Sequence, residues 1–144
     1  MKKRDKNRAM PIIETQPQQK KRSHGQPEMK IQADCIRVAW NEFPETRHRL
    51  FHVKNELERP DANAMLGAKA RATGIVRGVS DLILMMKRGP YGALCIEMKT
   101  ETGRQSSYQQ EWQRIIESEG YKYVVCRSVE QFRAILSEYL ALPH

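Results

Sequence analysis

The sequence contains no long apolar run. No segment approaches the roughly 20 apolar residues that a membrane-spanning helix needs, and no apolar stretch follows the basic start MKKRDKNRAM, as one would in a secretory signal. These absences argue against a membrane-spanning or secreted protein. The 144 residues suit a single domain, and a hydrophobic content of 40% is enough to form its core.

Cysteine is also scarce. Cys35, Cys95 and Cys126 are odd in number, widely spaced and set in apolar surroundings. This pattern argues against a disulfide framework and against a thiolate zinc site, so a reducing cytoplasm is the expected compartment. No G-x-x-x-x-G-K-[ST] phosphate-binding motif occurs, so an ATP-binding motor is not expected in this chain.

The net charge of +8 is concentrated at one end of the chain. Residues 1–27 hold eight of the 25 Lys and Arg but only two of the 17 acidic residues, which leaves +6 there and +2 in the remainder. The segment is also rich in Gln and Pro, so we expect a disordered tail whose charge suits a polyanion such as nucleic acid. A tail that only improves solubility is the alternative.

Hydrophobic periodicity predicts the elements of the folded part, residues 28–144. Helices are predicted at 27–43, 106–119 and from Ser128 onward. Strands are predicted at 50–53, 80–86, 93–99 and 121–127, with the turn-rich KRGPYG joining the second and third as a hairpin. The resulting order is α, β, β, β, α, β, α. The segment 62–72 is either a further helix capped by Asp61 or a mobile loop.

Several residues are predicted to be buried or to cap helices. Trp40 and Trp112 are expected in the core, and Ser128 with Gln131 has the spacing of a capping box. The predicted apolar face of the helix at 106–119 comprises Tyr108, Trp112, Ile115 and Ile116.

Three charged residues converge at one end of the predicted hairpin. Because side chains alternate along a strand, Glu97 and Lys99 share a face. If Met85 pairs with Ala93, the numbers of opposite residues sum to 178 and Asp81 lies against Glu97. Two close carboxylates repel unless a hard divalent cation, Mg²⁺ or Mn²⁺, binds their oxygens.

This arrangement suits phosphodiester hydrolysis. Asp81, Glu97 and the Met98 carbonyl would be the metal ligands, and Lys99 would position the attacking water or stabilise the transition state. Glu28 lies on the helical face of Ile31 and Cys35 and could reach the metal through a water.

The motifs also occur in the order of a known family. G-I-V-R-G-V-S-D-L (74–82), I-E-M-K-T-E-T-G-R (96–104), S-x-x-Q-x-x-W (106–112) and G-Y-K-Y-V-V-C-R-S (120–128) resemble the VRR-NUC family of the PD-(D/E)XK nuclease superfamily. The resemblance implies an α/β, restriction-endonuclease-like αβββαβ core, a mixed sheet flanked by helices. Asp81 would then be the motif aspartate, Glu97 and Lys99 the E-x-K pair, Glu28 the acidic residue of the first helix and Gln109 the downstream glutamine. Ser80 replaces the usual proline, which binds no metal.

The resemblance further implies a metal-dependent DNA endonuclease, selective for branched or four-way junction DNA in replication, recombination or repair, and working as a homodimer. A catalytically silent DNA-binding module with the same fold is the main alternative. A structural protein whose basic tail neutralises nucleic acid is another. An intact Asp81, Glu97 and Lys99 set argues against the silent module.

Each site residue has a plainer interpretation. Glu97 and Lys99 could form an ion pair at a sheet edge, Gln109 could only cap its helix with Ser106, and Glu28 could only complement the helix dipole. His48 and His52 are four residues apart, but a strand and not a helix is predicted there, which disfavours a zinc site. A set of basic residues could line the DNA groove or be ordinary solvated charges: Lys69, Arg71, Arg77 and Arg104.

Deletion of residues 1–27 tests the tail. Each phosphate contact on duplex DNA releases about 0.9 of a counterion, so the deletion should weaken binding and flatten the dependence of affinity on salt. Cleavage at saturating DNA should be retained. Fluorescence anisotropy across a salt series measures the slope, and an unchanged slope would show that the tail does not contact DNA.

Overall fold

The computed structural model describes residues 26–54 and 64–144. Its helices are α1 (Gln26–Glu42), α2 (Ala64–Ala72), α3 (Ser107–Ser118) and α4 (Val129–Leu140), with a short 3₁₀ helix at Pro44–Thr46. Its strands are β1 (Leu50–His52), β2 (Leu82–Leu84), β3 (Leu94–Met98) and β4 (Lys122–Cys126). The predicted order of elements is confirmed, and of the two options for residues 62–72 the described part is helical. The proposed cap Asp61 and most of the basic tail lie outside the described residues.

The four strands form one mixed sheet in the order β1-β2-β3-β4. The first two pairings are antiparallel and β3 runs parallel to β4. Leu82 faces Ile96 and Leu84 faces Leu94, so the predicted register of the hairpin is confirmed. Arg88 and Tyr91 exchange backbone hydrogen bonds around Gly89 and Pro90 in a tight turn. Their numbers sum to 179, whereas the pairs of β2 with β3 sum to 178, so one extra residue lies on the β2 side between this turn and the strands.

The two faces of the sheet are covered by different helices. Cys35 of α1 and Phe132 of α4 belong to the main core, together with the residues of β3 that point to that face, Leu94, Ile96 and Met98. Alternation along β3 turns Cys95 and Glu97 to the opposite face, where Gln109 of α3 contacts Glu97. All five residues of β3 are consequently buried.

The N-terminus of α3 is held in place by two local features. The Ser106 hydroxyl accepts a hydrogen bond from the Gln109 amide, and the Gln109 side chain accepts one from the Ser106 amide, so the predicted capping box is present. Gly78 has a φ of +82°, and a Cβ there would overlap the backbone of Tyr108 and Gln109. Glycine is therefore required for the close approach of this loop to α3.

The cap of α4 is only partly as predicted. The Ser128 hydroxyl accepts from the Gln131 amide, but the Gln131 side chain accepts from the amide of Arg127 and does not complete the box at Ser128. Phe132, Leu136 and Tyr139 of this helix are buried in the core.

Two predictions of burial are wrong. Trp40 is 49% exposed, and the apolar face predicted for α3 is displaced around the helix, since Tyr108 and Ile115 are exposed while Gln109 is buried. Trp112 is partly buried and packs edge-on against Tyr123 of β4. The spacing of apolar residues in α3 is compatible with burial of either of two adjacent faces. The face that contains Gln109 is buried, because the side chain of Gln109 bonds to Glu97.

Among the helices of the described residues, none is long and apolar enough to span a bilayer.

Candidate active site

Glu97 lies at the centre of the candidate site. It is fully buried in β3 at 1% exposure. Its Oε1 accepts a hydrogen bond of 2.6 Å from Nε2 of Gln109 and lies 3.1 Å from Nζ of Lys99. The Lys99 side chain is also buried. The predicted shared face of Glu97 and Lys99 therefore contains a buried ion pair.

The energetics of this pair favour a functional role. Removing two charges from water costs about several kcal/mol per ion, and the attraction between them often only offsets that cost. An ion pair exposed to water at a sheet edge would not lose its hydration. Glu97 and Lys99 are both buried, so they are not a pair of that kind. Buried charges of this kind concentrate at functional sites.

Gln109 makes two hydrogen bonds, one that caps its helix and one to Glu97. Its side-chain oxygen accepts from the Ser106 amide at 2.8 Å, which caps α3, while its side-chain nitrogen donates to Glu97. The two contacts use opposite ends of one amide group. The cap therefore orients the amide that holds Glu97.

Asp81 lies one residue before β2, at the end of the sheet where β3 finishes. Its Oδ2 accepts a hydrogen bond of 2.7 Å from the Met98 amide. Burial raises the pKa of Asp81, the Met98 hydrogen bond and the charge of Lys99 lower it, and the nearby charge of Glu28 raises it. Burial dominates, so the carboxylate is held where its negative charge is unfavourable without a compensating cation.

Glu28 approaches the site from the opposite layer. Its Oε1 accepts a long hydrogen bond of 3.4 Å from the amide of Thr100, in the loop that follows β3. This contact places the first turn of α1 beside the end of the strand that carries Glu97 and Lys99. Glu28 thus does more than complement a helix dipole.

Arg127 fixes the same loop and was missed from the sequence. Its Nη1 donates to the carbonyl oxygens of Thr100 and Gly103, each at 2.7 Å, and to that of Glu101 at 3.3 Å. Arg127 directly follows β4, so the parallel pairing of β3 with β4 brings it to the loop. No sequence motif marks this contact, because its partners are backbone carbonyls.

His52 is a second neighbour that the sequence argument did not place. Its Nδ1 lies 2.9 Å from the carbonyl oxygen of Asp81. Since a carbonyl only accepts hydrogen bonds, Nδ1 carries the proton. The register of β1 with β2 accounts for the position, because His52 pairs with Leu82, the residue after Asp81. His48 lies in the turn before β1, outside the predicted strand.

The four basic residues predicted to contact DNA are all exposed: Lys69, Arg71, Arg77 and Arg104. Lys69 and Arg71 lie on α2, and Arg104 lies in the loop after β3. Within the described residues, Arg77 is the one of the four whose side chain contacts another side chain, that of Tyr108 at the start of α3. Their contact with phosphate stays a prediction.

The donor set is compatible with a small hard cation. The described residues contain no cluster of three or more His, Cys, Asp or Glu suited to a metal ion. Mg²⁺ is, however, commonly bound through one or two carboxylates and several waters. Asp81 and Glu97 meet that requirement, although a cation at Glu97 must bind through the second oxygen or displace Gln109 or Lys99 from the first.

The raised pKa of Asp81 predicts an effect on stability. An acid whose folded pKa exceeds its ordinary value of 3.8 destabilises the fold when ionised. Without divalent metal at pH 7, Asp81→Asn should therefore increase the free energy of unfolding, while its side-chain oxygen still accepts from Met98. The gain should shrink as the pH falls through the raised pKa towards 3.8. Urea unfolding across this pH range measures it.

Asp34→Asn is the control of opposite sign. A hydrogen bond from Lys30 lowers the pKa of Asp34, which therefore stabilises the fold above pH 3.8 and loses that effect as the pH falls through the lowered value. The substitution should leave stability unchanged or slightly reduced at pH 7. A loss of stability in Asp81→Asn at pH 7 would show that the site does not strain this carboxylate.

Comparisons with known proteins agree with this architecture. The family model of the VRR-NUC domain matches residues 12–130. A solved structure described as a VRR_NUC domain protein has a TM-score of 0.68 and 22% sequence identity, covering 81% of this chain and 89% of that one. At that identity the likeness concerns the fold. Curated proteins give no significant sequence match. Since the family match spans most of the 144 residues, the chain belongs to the VRR-NUC domain family.

Proposed function

We propose that this protein is a metal-dependent nuclease that hydrolyses phosphodiester bonds in DNA. Membership of the VRR-NUC family indicates a nuclease-like, DNA-processing domain. The observation that carries the proposal is the buried group formed by Glu97, Lys99 and Gln109, at the sheet end where Asp81 also lies. A protein that used this surface only to bind DNA would not need to bury an ion pair there.

The same observations support assignment to the PD-(D/E)XK superfamily. The mixed sheet carries the aspartate next to β2 and the E-x-K pair at the end of β3, and an acidic residue of α1 and a glutamine of α3 reach the same place. The proposal treats these residues as one catalytic set: Asp81, Glu97, Lys99, Gln109 and Glu28.

In the proposed mechanism Asp81, Glu97 and the Met98 carbonyl would hold Mg²⁺ or Mn²⁺. A bound divalent cation lowers the pKa of an attacking water and shields negative charge on the phosphate oxygens. Lys99, kept in place by Glu97, directs its ammonium towards that water or towards the charge that develops in the transition state. Gln109 holds the orientation of the Glu97 carboxylate, and Glu28 steadies the loop after β3.

Substitution of Lys99 separates metal binding from catalysis. Lys99→Ala keeps both carboxylates and removes a competing positive charge, so divalent metal and DNA should still bind. Cleavage should fall by at least about 10² to 10³, the scale for losing one group that stabilises transition-state charge. Asp81→Asn and Glu97→Gln should instead lower metal affinity and cleavage together, with partial rescue by excess metal. Calorimetry, anisotropy and nicking of supercoiled DNA measure the three quantities.

Lys87→Ala is the matched control. Lys87 is an exposed lysine in the connection between β2 and β3, at the other end of the hairpin from Asp81. It should cleave like the wild type. Cleavage by Lys99→Ala at the wild-type rate would make the lysine a structural partner of Glu97. DNA binding without any metal-dependent cleavage by the wild type would instead establish the silent DNA-binding module.

We also propose a homodimer that prefers branched DNA. The described part of the chain carries one arrangement of Asp81, Glu97 and Lys99, and cutting two strands or two arms of a junction requires two such sites related by symmetry. Sedimentation at working concentration should give the mass of two chains, and cleavage of forked or four-way DNA should exceed that of linear duplex. A monomer without this preference contradicts the proposal.

A further inference from the structure

Tyr108 is exposed beside the candidate site, although its spacing in α3 is that of a core residue. It is the second residue of α3, and its side chain is 54% exposed. The next residue, Gln109, is 4% exposed and bonds to Glu97. Single exposed aromatic residues are ordinary on protein surfaces. Tyr108 differs in two ways. Another side chain contacts its ring, and its neighbours Gln109 and Gly78 connect it to residues of the candidate site.

Arg77 holds the ring in position. Its Nη1 donates a hydrogen bond of 3.1 Å to the Tyr108 hydroxyl, and its guanidinium carbon lies 5.1 Å from the ring centroid. The contact combines a hydrogen bond with a cation–π interaction. A ring restrained in this way loses less entropy when a ligand stacks on it. Arg77 also supplies an exposed positive charge for a phosphate group.

The backbone ties this Arg77–Tyr108 pair to both halves of the site. Consecutive Cα atoms are about 3.8 Å apart, so Tyr108 adjoins the glutamine that holds Glu97. On the other side, Gly78 follows Arg77, packs tightly on the Tyr108 backbone and precedes Asp81 by three residues. The ring is therefore fixed relative to the group that would bind the scissile phosphate.

We infer that the Arg77–Tyr108 pair is a stacking platform for one unpaired base next to the phosphate that is cut. Within a duplex the flat faces of the bases are covered by their neighbours, whereas an unpaired base presents a face on which an aromatic side chain can stack. The substrate class is then DNA with an unpaired nucleotide at the cut, as in a fork or a flap. This inference rests on the proposed nuclease function and names the feature of DNA that its site selects.

A pair of matched DNA substrates tests the platform. One is a blunt duplex and the other is the same duplex with a single-stranded arm whose first unpaired base is 2-aminopurine. With Ca²⁺ in place of Mg²⁺, the wild type should bind the fork more tightly and quench its fluorescence. Because the substitution removes the stacking of one base, Tyr108→Leu should lower the preference for fork over duplex about tenfold. It should also abolish the quenching of 2-aminopurine.

Three further variants isolate the ring. Tyr108→Phe keeps the stacking face and should keep the quenching, and Tyr108→Trp enlarges that face and should tighten fork binding even if Tyr108→Leu proves poorly folded. Tyr121→Leu is the control, because Tyr121 is an exposed tyrosine beyond the opposite end of α3. It should behave like the wild type. Thermal unfolding of each variant identifies any loss of fold.

The outcomes distinguish this inference from the proposed function. If Tyr108→Leu is folded and keeps both the fork preference and the quenching, the platform is overturned. An equal loss of affinity for fork and duplex also overturns it, because Tyr108 would then contact DNA without regard to unpaired bases. Wild-type protein that binds neither DNA overturns the nuclease proposal and the platform together. Loss of fork preference in Tyr108→Leu, in a protein that shows no metal-dependent cleavage, supports base stacking on Tyr108 but overturns the nuclease proposal and with it the placement of the platform beside a cut phosphate.

Discussion

The burial of the Glu97 carboxylate is the constraint on which the rest of the structure around the site depends. A buried negative charge needs a positive partner and hydrogen-bond donors within reach. Lys99, the first residue after β3, supplies the charge, but the Gln109 donor comes from α3. The start of α3 must therefore keep a fixed distance from β3. The Ser106 cap and the close packing of Gly78 against α3 maintain this distance.

One face of the sheet packs against the apolar core, and the other face carries the charged residue of the candidate site, Glu97. On one face α1 and α4 cover an apolar core that includes Leu94, Ile96 and Met98. On the other face β3 presents Glu97 to α3, and burial raises the pKa of Asp81 at the end of the same sheet. Burial of apolar area on the first face, at roughly 25 cal/mol per Å², offsets the cost of the charges on the second. Alternation along β3 allows one strand to serve both purposes.

The loop after β3 links the site to the rest of the fold. Arg127 binds three of its carbonyl oxygens from the end of β4, and Glu28 accepts from its Thr100 amide at the start of α1. The loop thus connects one edge of the sheet with the first helix while following directly from Lys99.

The sequence by itself determined the order of elements and the shared face of Glu97 and Lys99, because strand alternation and helix caps are local properties. The hairpin register followed from the sequence only once Met85 was taken to pair with Ala93, because the tight turn at Arg88 and Tyr91 is offset from the strands by one residue. The sequence did not determine which face of α3 is buried, since apolar residues at Tyr108 and Ile115 competed with Gln109, whose partner lies in another element. Arg127 and His52 were missed because they bind backbone carbonyls, which every sequence possesses. Only the pairing of β1 with β2 and of β3 with β4 brings those side chains to the site.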